Sequence, residues 1–567
     1  MVLSWTRSRP CMIKTAYTYS KGKGYSSQTS DRILYKTMAS NEVGVQHSAD
    51  AQHYEVVIIG NGPSAIALSF MLSGYRPYYN GAPLSNEYLL QRLQDAGTVS
   101  LFEQDLRYLS EGLEGRSNNP VALLFDHLFH PDADLGVDVP SALDWKYDSQ
   151  HYIPHVVLGK TKPGGTWQKI DGTMHTISQS SWMELPNVVF KDWLVSPDRT
   201  KSYSWREHNP VAGRATIADV KDYYTDYIKS QGLAKNFKDF HTVTSVQQVY
   251  HLRNIVDSES GEVEPCCGNV RRNHPHCWEV RGYSSHSNSP QETLRNAESG
   301  EEVINQQRFC YVAPHVVLAV GTYDIPNRLG VEGESLSCVV HSLGAFEEAL
   351  LNLKLELSGG SSCLSSPDPV LVVGAGLSAA DAILTAMDAG VPVIHVFRRA
   401  PTNASLVFSK LPRAMYPEYH RVHRLMKGEE HSPLYTPMPK QTLMEVRDKA
   451  VLIGSASAND GANKFKSSST STSLTWVDIS LVAIMVGSRS DLGFLPREGR
   501  NLGIVAKWPI DSKHNVIDVD PFTYQSNRRP QMFAMGPLVG DNFVRFGIGG
   551  ALAIVNHLNK CRKKEIL

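Results

Sequence analysis

A chain of 567 residues is too long for one compact core, and its length predicts roughly three or four domain-sized units, or two domains with long insertions. Hydrophobic residues at 41% and charged residues at 20% exclude a wholly disordered chain. With 56 basic and 57 acidic side chains the formal charge is -1, which leaves no global field for nucleic acid or an anionic membrane and points to a small, specific ligand.

Residues 1–50 form a basic, Ser/Thr-rich leader, in which Arg7, Arg9, Lys14, Lys21, Lys23, Arg32 and Lys36 face only Asp31 among the first 40 residues. That composition fits either a disordered leader or a mitochondrial transit segment. Eight scattered cysteines match reduced thiols of a cytoplasmic protein rather than a disulfide framework. No apolar run reaches the about 18 to 20 residues that span a bilayer.

From Tyr54, EVVIIG reads as a strand buried on both faces, followed at once by Gly60-Asn61-Gly62-Pro63-Ser64-Ala65 and a helix. The turn fits G-x-G-x-x-A. Gly60 permits the tight turn, Gly62 leaves room for a pyrophosphate, and the helix N-terminus beyond aims unpaired N–H groups at that anion. Ser64 lies in the first helical turn, and Ala65 is the small residue that lets helix and strand pack. An acid is expected where the next strand ends, to bind the ribose hydroxyls. Glu103 in TVSLFEQD is the candidate, with Asp105 as the spare, and GYRPYYNGAPLSNEYLLQRLQDAG is read as an insertion before that strand.

VTSVQQVY, CWEVRG and APHVVLAVG then read as strands, interrupted by a polar insertion from about residue 253 to 308. A Ser/Gly-rich linker near residues 359–366 leads to PVLVVGAGLSAADAILTAMDAG, which repeats the strand, turn and helix: Gly374, Gly376, Ser378 and Ala379 stand where Gly60, Gly62, Ser64 and Ala65 stand in the first unit. The following strand VPVIHVF ends in Arg398-Arg399. A positive pair in that place suits the 2′-phosphate of NADPH, because guanidinium groups bind phosphate bidentately. FAD is thus assigned to the first turn and NADPH to the second. KSSSTSTS near residue 470 is low in complexity, and from Trp476 apolar sequence resumes, ending in MFAMGPLVGDNFVRFGIGGALAIVNHL.

Further segments carry a resemblance. Gly164-Gly165-Thr166-Trp167 resembles the G-G-x-W segment beside FAD in the flavin-containing monooxygenase superfamily, and Ala319-Val320-Gly321-Thr322 with Pro326 resembles its A-T-G-x-x-x-x-P linker. Residues 331–346 are similar to its F-x-G-x-x-x-H fingerprint around His341, with Val331 in place of the aromatic residue. Gly540-Asp541 resembles the terminal G-D whose Asp binds the ribityl chain of FAD. NGPSAIALSFMLSGYRP, LSEGLEGRSNNPVALLFDHLFHPDAD, SWMELP, VIHVFRR and GPLVGDNFVRF resemble the oxidative stress-induced growth inhibitor family more specifically.

The resemblance implies an α/β protein with two Rossmann-like dinucleotide-binding domains. Residues 51–335 and 476–567 form a discontinuous FAD domain, and residues 336–475 form the inserted NADPH domain. It implies FAD-dependent, NADPH-consuming monooxygenase chemistry on a small molecule with oxygen, and a role in growth, differentiation or cell division that leaves room for regulatory protein partners. An NADPH oxidase releasing peroxide and a silent nucleotide-binding regulator are the alternatives. No side chain stands out as a general acid or base. Cys266, Cys267, His274, His276 and Cys277 lack ordinary zinc spacing and read as an insertion loop, and His420 and His423 read as part of a solvated basic helix.

Overall fold

Val56-Val57-Ile58-Ile59 places four β-branched side chains in a row, a pattern that suits a strand covered on both faces, and all four are buried. The computed structural model describes residues 51–170, 172, 174–196, 213–250, 276–285, 306–359, 368–455 and 474–566. Within them two five-stranded parallel sheets form. Their strands, in chain order, are β1 (Val56–Ile59), β2 (His155–Leu158), β3 (Phe237–Lys238), β4 (His315–Leu318), β5 (Val339–Val340), β6 (Val370–Val373), β7 (Val393–Phe397), β8 (Tyr435–Pro439), β9 (Leu481–Ile484) and β10 (Met532–Ala534).

The first sheet runs β10-β4-β1-β2-β3 and the second β5-β9-β6-β7-β8, so each glycine turn leaves from a central strand. β10, near the chain's end, pairs in parallel with β4, which closes the first sheet only after the whole second sheet has been built. The fold is therefore α/β, with one Rossmann-like unit inserted into another that is discontinuous in sequence. Helix α1 (Pro63–Leu72) follows β1 and is buried along nearly its whole length beneath α3 (Gly549–Ile566); α2 (Leu377–Asp388) follows β6 and buries one face.

Two boundaries differ from expectation. β9 pairs with β6 in register, Val370 opposite Leu481, so the second unit continues past residue 475. The chain leaves and re-enters the first unit where Ile325-Pro326 pairs antiparallel with Ser488-Arg489. The insertion after α1 is also longer than expected. It spans the interval up to β2 and contains the antiparallel arms Tyr75–Tyr79 and Leu143–Tyr147 and three helices, Glu87–Asp95, Leu106–Ser110 and Pro120–Phe129. TVSLFEQD within it is a turn, not a strand. Three further strands, His241–Tyr250, His276–Ser285 and Gln306–Ala313, pair antiparallel in a mixed sheet, and the second of them contains the expected strand CWEVRG. The leader, the rest of the polar insertion and KSSSTSTS lie outside the described residues.

Candidate functional site

The first turn is fixed by what crowds Gly60 and what leaves Gly62 open. Gly60 has φ +108, and a Cβ there would fall 2.2 Å from the Ala319 carbonyl oxygen at the end of β4. Gly62 has an ordinary φ of -75 and N-caps α1 with no side-chain cap bond, with Pro63 in the first helical position. A Cβ on Gly62 would meet nothing within 4 Å. Open space thus faces a helix N-terminus whose N–H groups lack a capping side chain, the geometry of an anion cradle.

The G-G-T-W segment is packed on this turn. Gly164 N–H donates to the Asn61 carbonyl at 2.9 Å, and a Cβ on Gly165, at φ +62, would lie 3.0 Å from Gly62 Cα. Thr166 and Trp167 continue into a short 3-10 turn, where the half-buried indole meets Tyr224 edge-on at 6.5 Å. Ser64 Oγ occupies the space that Cβ atoms on Gly536 and Gly547 would need, at 2.8 and 3.1 Å, and Ala65 is fully buried. Asp541 N–H donates to the Gly536 carbonyl at 3.2 Å, which joins the terminal Gly540-Asp541 to the same cluster.

The Asp541 side chain turns inward. Ser117 Oγ donates to it at 2.6 Å, Asn119 Nδ2 at 2.9 Å and Tyr524 OH at 3.0 Å. Burial pushes its pKa up to about 7 against the pull of those three bonds. Its carboxylate ties the long insertion to the C-terminal segment.

Glu103 is not at the end of the second strand. It forms an ion pair with Arg76 and lies 3.9 Å from Lys563 in the last turns of α3, while Asp105 caps the helix Leu106–Ser110 through the N–H groups of Arg107 and Tyr108. The strand that succeeds α1 in the sheet is β2, which ends at Leu158 and is followed by Gly159-Lys160. A lysine stands where an acid was expected. Its Nζ bonds Asp491 Oδ2 at 2.8 Å and is 3.6 Å from Asp324 Oδ2. Burial disfavours the ammonium charge, but bonding to these two carboxylates outweighs it and holds the Lys160 pKa above its ordinary value.

The second turn repeats the geometry. Gly374 has φ +133, and a Cβ on it would fall 2.4 Å from the Met485 carbonyl oxygen beyond β9. Gly376 N-caps α2 at φ -99, and a Cβ on it would meet nothing within 4 Å. Ser378 is exposed in the first turn of α2 and Ala379 is buried against the strand side. β7 lies in parallel register with β6, Val396 opposite Val373, so Arg398 and Arg399 emerge beside Gly374-Ala375, both exposed.

No protein-family model matches the chain. Human oxidative stress-induced growth inhibitor 2 is 41% identical over 525 residues, which cover 91% of this chain and 95% of the relative. The chain belongs to the oxidative stress-induced growth inhibitor family. Human oxidative stress-induced growth inhibitor 1 is 40% identical over 527 residues, covering 92% of this chain and 98% of that one. Among solved structures, a bacillithiol disulfide reductase from Staphylococcus aureus aligns over 90% of this chain and 99% of its own at 12% identity, with a TM-score of 0.49.

In this growth-inhibitor family member two buried histidines, one in each parallel sheet, were missed by sequence reasoning. His395 on β7 donates Nε2–H to the Gly374 carbonyl at 2.5 Å and accepts from Tyr435 OH at Nδ1, 2.8 Å. His155 on β2 donates Nδ1–H to the Ile153 carbonyl at 2.7 Å and accepts from Ser69 on α1 at 2.8 Å. Burial pushes both pKa values down to about 4, so both rings are neutral near pH 7. The visible signal was a lone histidine inside each apolar strand, HVVL and VIHVF.

The described residues of the remaining motifs make local contacts. His341 Nε2 bonds Glu334 at 3.0 Å, and Glu334 in turn accepts the N–H groups of Leu329 and Gly330, so His341 braces the chain entering the second unit. His423 is buried and bonds the Pro401 carbonyl at 2.9 Å, and His420 bonds Leu411 at 2.8 Å, which corrects the solvated-helix expectation. Cys266, Cys267 and His274 lie outside the described residues, and Cys277 is buried on a strand. Among the described residues no cluster of three side chains could hold a metal, and no helix is long and apolar enough to cross a membrane.

Proposed function

We propose that the protein binds FAD at the first turn and NADPH at the second, and that it is an FAD-dependent, NADPH-consuming oxidoreductase of the monooxygenase type acting on a small molecule with oxygen. The observation that carries this reading is the pair of open cradles. At Gly62 and at Gly376 a missing side chain leaves free space before a helix N-terminus at the C-terminal edge of a parallel sheet, where dinucleotides bind. Two such cradles in one chain have a chemical reason when one nucleotide reduces the other.

The residues divide as follows. The N-terminus of α1 receives the FAD pyrophosphate. Asp491 and Asp324, gathered by Lys160 at the end of β2, take the place of a strand-end acid near the adenosine ribose. The N-terminus of α2 and Ser378 receive the NADPH pyrophosphate, and Arg398 and Arg399 select the 2′-phosphate. Trp167 and Tyr224 shield the space beside the first turn from water. FAD, when bound, supplies hydride acceptance from NADPH and the reduction of oxygen. His395, neutral and bonded to Gly374, and His155 hold their strands and helices without adding charge near either anion. From the names of its human relatives, we extend to this chain a role in growth control, with NADPH oxidation as the chemistry that would serve it.

Anaerobic mixing of the flavin-loaded protein with NADPH tests the reading. Bleaching of the oxidised flavin spectrum is expected, and recovery on adding air. Peroxide equal to the NADPH consumed would make the protein an oxidase, whereas less peroxide in the presence of a substrate supports oxygen insertion. A bound flavin that NADPH never reduces would leave a nucleotide-binding regulator instead.

A further inference from the structure

Six consecutive residues, Ile504-Val505-Ala506-Lys507-Trp508-Pro509, are all exposed, and five of them are apolar. Ile504 and Trp508 each show 58% of their surface. A contiguous exposed apolar run costs solubility and calls for a function. The run is the tip of a loop organised from within by Asn515, which is 1% exposed. Its Nδ2 donates to the carbonyls of Val505, Trp508 and Pro509 at 3.2, 3.2 and 3.0 Å, and its Oδ1 accepts the Val505 N–H at 2.8 Å. Trp508 N–H also bonds the Val505 carbonyl at 3.3 Å, and Ile504 N–H bonds Val516 at 3.1 Å. The backbone groups of Val505, Trp508 and Pro509 are thus satisfied inside the loop while its apolar side chains face out, which lowers the cost of placing irregular backbone against a weakly polar medium.

Charge decides which medium. Lys507 and Lys513 flank the tip, both exposed, and neither has a carboxylate within ion-pair distance among the described residues. The nearby acids are engaged: Asp511 accepts the N–H groups of Lys513 and His514 and bonds the His514 ring at 2.9 Å, and Glu498 bonds Arg500 at 3.0 Å. Arg497 is exposed and, likewise, has no carboxylate partner among the described residues. The tip is therefore an amphipathic Trp/Ile wedge with a net positive collar, although the chain as a whole carries -1.

We propose that this loop docks the protein on an anionic lipid surface, with Ile504 and Trp508 in the interface and Lys507 and Lys513 against the headgroups. A lipid interface accepts a single convex wedge, whereas a stable protein interface needs a broad complementary face. The loop is joined to the first turn's surroundings: Asn542 Nδ2, next to Gly540-Asp541, donates to the Ser512 carbonyl at 3.2 Å, and half-exposed Phe543 follows it. Docking therefore brings the C-terminal segment of the first unit against the lipid. The proposal does not depend on flavin or turnover.

Co-sedimentation of the full chain with phosphatidylcholine vesicles, with and without phosphatidylserine, tests it. Binding is expected only with phosphatidylserine and should weaken as salt is raised. Ile504→Ser with Trp508→Ser should weaken it at least about tenfold, and Lys507→Gln and Lys513→Gln about fivefold each. These side chains are exposed, so thermal melting of every variant should match the parent. Absence of binding, equal binding to both vesicles, or variants that bind like the parent would overturn the proposal. So would a Trp508-dependent dimer or protein complex that forms without lipid and blocks vesicle binding.

Discussion

Substituting the first two glycines of the first turn should separate folding from cofactor binding. Gly60→Ala puts a Cβ 2.2 Å from a backbone oxygen at φ +108. The backbone strain is worth roughly 1–3 kcal/mol and the overpacking roughly 1–3 kcal/mol more, so the unliganded protein should lose about 2–6 kcal/mol. Gly62→Val adds side chain at an ordinary φ with nothing within 4 Å of its Cβ, and unliganded stability should fall by only about 1 kcal/mol, the cost of a poorer N-cap. On the proposed reading the same side chain fills the space that the FAD phosphate would take. Losing one charge-assisted bond there costs roughly 1.5–3 kcal/mol, or about 10- to 100-fold in FAD affinity. Denaturant unfolding of the flavin-stripped proteins gives the first quantity and flavin titration the second. A Gly62→Val protein that binds FAD like the parent would refute the reasoning, as would one that unfolds while Gly60→Ala does not.

Gly376→Val should abolish reduction by NADPH while leaving bound FAD and the melting temperature unchanged, read by stopped-flow and thermal scans. Replacing Arg398 and Arg399 with Ser should raise the apparent constant for NADPH about 10- to 100-fold with little effect on NADH; equal losses for both nucleotides would remove the 2′-phosphate argument. Asp491→Asn should weaken FAD binding and leave Lys160 with Asp324 as its remaining partner, measured by titration. The pH dependence of stability should carry two opposite signs. Relative to His395→Gln, the parent gains stability as pH rises from about 4 to 6.5, because only the unfolded state binds the imidazole proton there. Relative to Asp541→Asn, it loses stability from about pH 4 to 7, because there the folded state holds the proton, with limiting slopes of about 1.4 kcal/mol per pH unit in each case.

Both turns were legible in the sequence because strand, turn and helix are local: β1 and β6 are apolar runs, and the small residues follow at fixed spacing. Arg398-Arg399 was legible for the same reason, since only α2 separates β6 from β7. Glu103 failed because the chain between α1 and β2 is itself a small substructure, and spacing has no meaning across it. The four-residue β2 was hidden by its brevity, although G-G-T-W six residues after Leu158 could have located it. The surroundings of Asp541 were beyond sequence reasoning: Ser117 lies 424 residues away along the chain and Asn119 lies 422 away, and neither has a pattern that announces a partner. The boundary at 476 failed because the low-complexity stretch before it resembles a linker, whereas β9 beyond it fills the gap between β5 and β6.

Lys160 gives the insertion of one unit into the other a physical logic. Two chain crossings join the units, and they are held side by side by the pairing of Ile325-Pro326 with Ser488-Arg489. Asp324 belongs to the outgoing crossing and Asp491 to the returning one, so a single ammonium at the end of β2 bonds both, directly beside the first turn. Elsewhere the units meet through polar and apolar contacts: buried Arg214 bonds the Met415 carbonyl at 3.0 Å and Glu418 at 2.7 Å, Tyr416 OH donates to the Ile177 carbonyl, and the Ile177 side chain packs against the second unit's core. Ribose hydroxyls arriving at the end of β2 would compete with Lys160 for the same carboxylates. If the first nucleotide binds there as proposed, the charge that recognises it would also be the charge that fastens the crossings, and loading the first unit would be expected to change the restraint on the second.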